Sequence, residues 1–241
     1  MAQSLRTTRV LTLGALGTQD ITIAGFGTCI GAIFDMNVGN TDSTVQTTDR
    51  RGIGYCDGTR QAATAYGCSN GVGTSQTARI ERDNALIAEV GGLANVVGVA
   101  AFDSFITDGV RINVTTASAS RFCTVTLIGG DATNVRVGVS PSLGTSAGDT
   151  VISTVGFEAD LVMTSCSGLG SVGTGAVHSI YSRGIAVNDG ADSNFMRALF
   201  DQSALTTTNT GSYISDTYAT GQYFNNTLGW GGSIGSYTAS G

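Results

Sequence analysis

Short runs of alternating apolar and polar residues make up most of the chain, which is the pattern of half-buried β-strands. Residues 20–23 alternate before a glycine turn at 25–27, and residues 30–36 form a largely apolar run suited to a central strand. Val110, Ile112 and Val114 share one face. Such runs recur about every ten residues with Gly, Asp or Asn between them, and this spacing predicts sandwich or jelly-roll-like domains.

The clearest local signal is a hairpin at Asp57-Gly58, with residues 61–66 as the return strand. Ile53 and Tyr55 share a face before this turn, and we predict that they point into the core. Further strands are predicted at three places, residues 86–90, 96–102 and 124–128.

Helical signal is poor throughout the chain. Residues 77–88 are the best helical stretch, but their charges favour a loop that enters a strand. Residues 194–199 are predicted to form a turn of helix.

One motif occurs twice. The residues R-G-I at 51–53 with D-G at 57–58 return as R-G-I at 183–185 with D-G at 189–190, in the same order and spacing. One residue less of offset aligns Gly25-Phe26 with Gly156-Phe157. The pattern therefore predicts a tandem duplication.

The predicted fold is all-β, with two tandem antiparallel β-sandwich domains at residues 1–132 and 133–241. Pro141, the single proline, lies at a natural linker position between them. Ile185 and Val187 are expected to take the inward positions of Ile53 and Tyr55. Arg136-Val137 matches Arg9-Val10, which belongs to the first predicted strand of the chain. Arg136-Val137 is therefore expected to begin the second unit.

The second unit is expected to lack its last two strands, because its final residue, Gly241, matches Gly109 of the first unit. The first unit continues through strands at 110–114 and 122–128, which carry about five inward apolar side chains. At roughly 1.5–3 kcal/mol each, their absence costs about 10 kcal/mol, which is the stability of an ordinary domain. Strands donated by another chain, further residues after Gly241, or a different closure of the second unit would each compensate for this loss of stability. We expect the region after Asn188 to be an assembly surface in a symmetric oligomer.

The composition of the chain limits the classes of partner that it is expected to bind. Charged residues make up 12 % of the chain, the net charge is −6, and all twelve basic residues are arginines without a basic cluster. Nucleic acid and anionic membranes are therefore not expected as partners. No apolar run approaches the length that spans a membrane, so membrane insertion is not expected.

The sequence offers no catalytic, cofactor-binding or metal-binding residues. His178 is the single histidine, so a pair of histidine ligands is excluded, and no G-x-S-x-G motif accompanies it. Pairs of aspartates, Asp103 with Asp108 and Asp189 with Asp192, could contribute to a calcium site, but turn capping is the favoured reading. The five cysteines do not recur between the units, and we expect buried free thiols.

Arg51 and Arg183 occupy the same position of the repeated motif. The favoured reading is a local ion pair or a clamp on a carbonyl group. The alternatives are a carboxylate at the boundary between the units, a sugar, or a neighbouring subunit.

The Gly-Phe turn, the R-G-I strand with its D-G hairpin and the run S-F-x-x-D-G-V-R-I-N-V at 104–114 resemble tandem-duplicated all-β structural proteins of tailed bacteriophages. The resemblance implies a non-catalytic role on the virion surface, as a head decoration, fibre or tail-associated protein. The implied partners are copies of the chain itself and other virion proteins.

The alternative is a lectin-like adhesin module that binds a host-surface glycan through aromatic residues near the end of the chain, namely Tyr213, Tyr218, Tyr223, Phe224 and Trp230.

Overall fold

A computed structural model describes residues 4–39, 41, 48–69, 72–130, 135–138, 156–167, 176–188, 193–206, 209–224 and 227–234. Every helix or strand within these ranges is a β-strand, so the predicted all-β class is confirmed. Pro141 and the second D-G turn at 189–190 lie outside the described residues.

The first ten strands are β1 (Ser4–Thr12), β2 (Gly17–Thr22), β3 (Cys29–Asn37), β4 (Arg50–Cys56), β5 (Gln61–Ser69), β6 (Gln76–Arg82), β7 (Ile87–Val90), β8 (Val96–Ile106), β9 (Gly109–Thr116) and β10 (Arg121–Gly129). The remaining strands are β11 (Leu161–Cys166), β12 (Ala176–Val177), β13 (Ser179–Val187), β14 (Ser193–Asp201), β15 (Thr210–Ser215), β16 (Thr220–Phe224) and β17 (Thr227–Gly232).

Strands β1 to β10 form a sandwich of two antiparallel sheets. Sheet A has the order β1-β10-β3-β4-β5-β6, with the short β12 added beside β6, and sheet B has the order β2-β9-β8-β7. The main apolar core lies between these sheets. Its largest fully buried side chains include Phe34, Met36, Leu86, Ile112 and Leu127.

The later strands form two further antiparallel sheets. Sheet C has the order β11-β13-β14-β15, and sheet D contains β16 and β17. Met196, Ala198 and Phe200 alternate along β14 and are buried. By register, Met196 lies on the same face of sheet C as Gly184, which abuts the carbonyl of Ala219 just before β16. These side chains therefore fill the space between sheets C and D.

Glycine allows two sheets to approach backbone to backbone. A Cβ atom on Gly54 of β4 would collide with the carbonyl of Leu86, which immediately precedes β7. A Cβ atom on Gly184 of β13 would collide in the same way with Ala219. Gly54 and Gly184 thus each face the backbone just before a strand of the opposing sheet. Only glycine permits such a close approach.

The strand order of the later sheets follows that of the sandwich. Strands β5 and β14 have equal length and lie in the same place relative to their R-G-I strands, β4 and β13. Gly25 and Gly156 both have a positive φ, of 71° and 78°. The duplication itself, with units at 1–132 and 133–241, stays a prediction.

Two local predictions are wrong. Residues 76–82 form strand β6 instead of a loop, because Arg79 and Glu81 face sheet C instead of solvent while Ala78 and Ile80 are buried toward sheet B. Residues 194–199 belong to β14 instead of a helical turn, since pairing on both sides by β13 and β15 outweighs local propensity.

The prediction that Ile53 points inward is confirmed, since it is 1 % exposed, but it is buried on the face of sheet A that is turned toward sheet C. Ile53 and Tyr55 point away from sheet B, because Gly52 and Gly54 occupy the face toward it. Val187 is exposed instead of inward. Residues 135–138 are irregular and form no strand, although Val137 is buried and its N–H donates to Asp57 Oδ2 at 2.8 Å.

A buried carboxylate joins the two sheets of the sandwich. Glu89 of β7 has no exposed surface, and its Oε1 accepts hydrogen bonds from Arg50 Nη1 at 2.6 Å and from Arg121 Nη2 at 2.9 Å. Ser118 Oγ donates to Oε2 at 2.7 Å. Burial alone would raise the pKa of Glu89, but the hydrogen bonds from Arg121, Ser118 and Arg50 outweigh it and hold the pKa below 4.5.

We expect Glu89→Gln to lower the free energy of unfolding at neutral pH by about 3–5 kcal/mol, because two arginines lose their buried counter-charge. The folded-state pKa of Glu89 is depressed, so the network stabilises the fold above the unfolded-state pKa and loses this effect as pH falls through the folded-state value. Urea unfolding at several pH values should therefore show the difference between the variant and the original chain shrinking below about pH 4.5. Asp83→Asn, at an exposed position, is the control, and an equal loss in both variants would contradict the role of Glu89.

Gly54→Ala and Gly184→Ala should each destabilise the fold by more than 1 kcal/mol, roughly the range of overpacked sites, because the added methyl group meets backbone that cannot move aside alone. Gly138→Ala is the control, since a Cβ atom there meets nothing within 4 Å. Thermal unfolding of the three variants measures the difference.

Candidate functional site

Sheet C covers the outer face of sheet A, the face turned away from sheet B. Thr64 Oγ1 and Ser165 Oγ lie 2.9 Å apart across this contact. The rings of Tyr66 and Tyr181 meet with their centroids 5.1 Å apart and tilted by 46°. Strands β4, β5 and β6 therefore have a partner sheet on both faces.

The tyrosines of this contact are suited to packing. Burial raises the pKa of Tyr55 to about 12 and also raises the pKa values of Tyr66 and Tyr181 above their ordinary range. Tyr66 Oη donates to Asp49 Oδ2 at 2.9 Å. A general acid or base works best with a pKa near the working pH, so these neutral phenols do not have the properties of proton-transfer groups.

The two arginines of the repeated motif both bind carboxylates. Arg51 Nε donates to the nearby Asp49 Oδ1 at 3.0 Å, which is the local ion pair that the sequence favoured. Arg183 Nη1 reaches from β13 to Asp35 Oδ2 on β3 at 2.8 Å. Arg183 thus forms the alternative that the sequence left open, an ion pair between sheets C and A. Both pairs are substantially exposed, so each contributes little to stability.

A dense set of hydrogen bonds, here called the Ser75 junction, ties the start of β6 to the loop after β14. Ser75 N donates to the carbonyl of Leu205 at 2.9 Å, and Ala204 N donates to the carbonyl of Ser75 at 2.7 Å. Ser75 Oγ donates to the carbonyl of Gln202 at 2.8 Å and accepts from Leu205 N at 3.1 Å. Ser203 Oγ accepts from Thr77 N at 3.3 Å. The junction fixes the later sheets against sheet A through main-chain groups.

His178 belongs to this junction. It lies between β12 and β13 with a φ of 68°, and its Nδ1 accepts from Ser203 N at 2.9 Å. Its backbone N–H donates to the carbonyl of Thr77. The single histidine is therefore placed as a turn residue, as the sequence favoured over a catalytic role.

Two aspartates in turns, Asp57 and Asp108, cap backbone N–H groups. Asp108 accepts from Gly25 N at 3.1 Å and from Gly27 N at 2.6 Å, which lowers its pKa. Asp57 accepts from Thr59 N and Arg60 N. Among the described residues no three His, Cys, Asp or Glu side chains group as metal ligands would. Asp189 and Asp192 lie outside that part of the chain.

The five cysteines are free, as the sequence predicted; Cys29, Cys56 and Cys123 are also buried as predicted, whereas Cys68 and Cys166 are only half-buried. Cys56 pairs with Gln61 at one end of the β4–β5 hairpin, whereas Cys68 lies near the other end opposite Thr77. Burial raises the pKa of Cys56 and Cys123 far above the ordinary thiol value, so these thiols are unreactive.

Of the aromatic residues near the end of the chain, the structure describes the side chains of Tyr213 and Tyr218. The Tyr218 ring packs against the backbone of β17 at Gly231, and Tyr213 is half-buried on β15. Tyr223, Phe224 and Trp230 lie on strands β16 and β17, but their side chains are outside the description.

The outer edges of sheets C and D are the most distinctive surface. In the sandwich, β10 pairs with the free side of β3 and β9 pairs with the free side of β8. By strand order, β11 and β17 occupy the places of β3 and β8, and within the described ranges no strand pairs with the outer edge of either.

Three exposed apolar residues lie on sheet C, one on each of the strands β11, β14 and β15. Leu161 on β11 is 54 % exposed, Phe195 on β14 is 51 % exposed and Ile214 on β15 is 63 % exposed. The register places all three on the face of sheet C that is turned toward sheet A, beyond the part that sheet A covers. The sequence marked the region after Asn188 as an assembly surface, but β11 lies before it and was missed. Its signal was a six-residue run, Leu-Val-Met-Thr-Ser-Cys, without a charge or a proline.

No helix of the described chain is long and apolar enough to cross a membrane. Comparison of the chain with protein-family models, with curated proteins and with solved structures gave no match.

Ser75→Ala and Ser203→Ala should each cost about 1–2 kcal/mol, because each leaves a part-buried backbone N–H without its acceptor. Amide hydrogen exchange gives a specific test, since Ser75→Ala should speed exchange at Leu205 and Ser203→Ala should speed exchange at Thr77. Ser104→Ala, whose hydroxyl bonds to the exposed side chain of the neighbouring Asp103, is the control. Unchanged exchange at both amides would contradict the junction.

Proposed function

We propose that this chain is a structural component of a bacteriophage virion, which assembles with copies of itself on the particle surface and has no catalytic role. Position as a head decoration, fibre or tail-associated protein fits the resemblance of the R-G-I, D-G and 104–114 motifs. The proposal also includes contact with other virion proteins.

The observation that carries the proposal is the outer edge of β11, which no strand of the described chain pairs with and which carries the exposed Leu161. A sheet edge offers a row of unpaired N–H and C=O groups, and proteins that remain monomeric blunt such edges with charges, prolines or bulges. Strand β11 carries none of these residues. An edge of this kind is suited to pairing with another chain.

The use of titratable side chains also favours a structural role. Glu89, Asp57, Asp108 and His178 are each engaged by backbone N–H groups, hydroxyls or arginines of the fold. A catalytic carboxylate or imidazole must instead face a substrate. The polar groups of the described chain thus serve to hold strands and turns in place.

We expect the purified chain to form oligomers at micromolar concentration, because pairing at an open edge also buries the apolar residues beside it. Light scattering coupled to size-exclusion chromatography measures the mass, and negative-stain electron microscopy shows whether rings or filaments form. A cooperatively folded monomer at all concentrations would count against the proposal. A saccharide preference on a glycan array would instead favour the lectin-like alternative.

A further inference from the structure

We propose that the outer edge of β1 of one copy pairs with the outer edge of β11 of the next copy, so that sheet C of one chain continues into sheet A of its neighbour. This inference rests on the proposed function, since it names the surfaces through which the copies assemble. It commits to a second copy of this chain as the occupant of the β11 edge.

The outer edge of β1 is the other surface of the proposed contact, and no described strand pairs with it. Strand β1 is the terminal strand of sheet A and pairs on one side with β10 alone. Six of its nine residues are exposed and two, Thr8 and Val10, are half-buried; Leu5 and Leu11 are 67 % and 45 % exposed. An edge strand with large exposed apolar side chains is costly unless a partner covers it.

The two edges have opposite charge. Strand β1 carries Arg6 and Arg9, both exposed, and the latter stacks on the ring of Phe122 with 4.6 Å between guanidinium carbon and ring centroid. Glu158 and Asp160 immediately precede β11 and are exposed. Antiparallel pairing brings the later half of β1, which contains Arg9, beside the start of β11, where both acids lie. The charges therefore favour this pairing and this direction.

The apolar residues match the same arrangement. Along β1, Leu5 and Leu11 lie on the face of sheet A turned away from sheet B. Along sheet C, Leu161 and Phe195 lie on the face turned toward sheet A. Pairing in a register that keeps odd-numbered residues opposite one another places these side chains on one continuous face, while Arg9 and Asp160 lie near each other at the end of the paired strands, on opposite faces of the joined sheet. The joined face would bury residues that each copy leaves in water.

Three other edge strands of the described chain, β2, β12 and β15, fit β1 less well. Strand β2 already pairs its Asp20 with Arg111, and β12 is only two residues long. Strand β15 is uncharged and carries exposed Ile214, so it is the strongest rival, but only Asp216 follows it directly. Strand β11 has two preceding acids and an apolar residue at its first position.

The contact uses two different edges of each copy, so it is heterologous. A pair of copies keeps one free β1 edge and one free β11 edge, so assembly continues until a ring closes or a filament grows. This property suits a component that is present in many copies.

The test is a charge exchange in the full-length chain. Arg9→Glu places an acid beside Glu158 and Asp160, and Asp160→Arg places a base beside Arg6 and Arg9. We expect each variant alone to show at least a tenfold weaker association than the original chain in sedimentation at low salt. A mixture of the two variants should recover assembly, because every contact in an alternating chain then joins opposite charges. Arg60→Glu and Asp83→Arg are the matched controls, since both residues are exposed away from these edges.

The outcomes separate the inference from the function it rests on. An original chain that never assembles overturns both. An original chain that assembles while Arg9→Glu and Asp160→Arg do so equally well overturns the pairing of β1 with β11 and leaves self-assembly intact. Weakening by Arg9→Glu alone overturns the choice of β11 and points to another acceptor edge such as β15. Thermal unfolding of each variant verifies that it folds, and recovery in the mixture excludes misfolding as the cause of weak association.

Discussion

The structure depends on strands β4 to β6 being packed against another sheet on both faces. On the face toward sheet B, Gly54 lets the carbonyl of Leu86 come into direct contact with the strand. On the opposite face, Tyr66 and Thr64 meet Tyr181 and Ser165 of sheet C. One face thus needs the smallest side chain and the other accepts large or hydroxyl-bearing ones. The order of the remaining sheets follows from this central layer.

Polar groups hold the layers together where apolar burial is small. The carboxylate of Glu89 binds arginines from β4 and from β10 at the end of the sandwich. The Ser75 junction does the same between sheets A and C through backbone carbonyls and hydroxyls. A buried charge or an unpaired N–H is costly, so these contacts determine which arrangement is allowed even where their net contribution is modest. The outer edges of β1 and β11 have no comparable partner within the described chain, and this contrast directs attention to assembly.

Sequence periodicity predicted the strands well and their surroundings less well. Strand β9 and the Asp57-Gly58 hairpin follow the alternation that local residues impose. Strand β6 was assigned to a loop because Arg79 and Glu81 look solvent-exposed, yet they face another sheet. The same limit affected Ile53 and Tyr55, whose shared face was predicted correctly and whose covering sheet, sheet C, was not foreseen. Alternation reveals that two faces differ, but it does not reveal which sheet lies against each face.

The chain by itself determined the all-β class, the turns capped by Asp57 and Asp108, and the free state of the cysteines, because these depend on neighbouring residues and on composition. Only the tertiary structure decided that Arg183 reaches Asp35 and that Glu89 lies between two arginines. It also decided that β11 is the last strand of sheet C on its side among the strands that the structure describes. The partners in these contacts come from distant parts of the chain, and their meeting depends on how sheets stack, which no local pattern encodes.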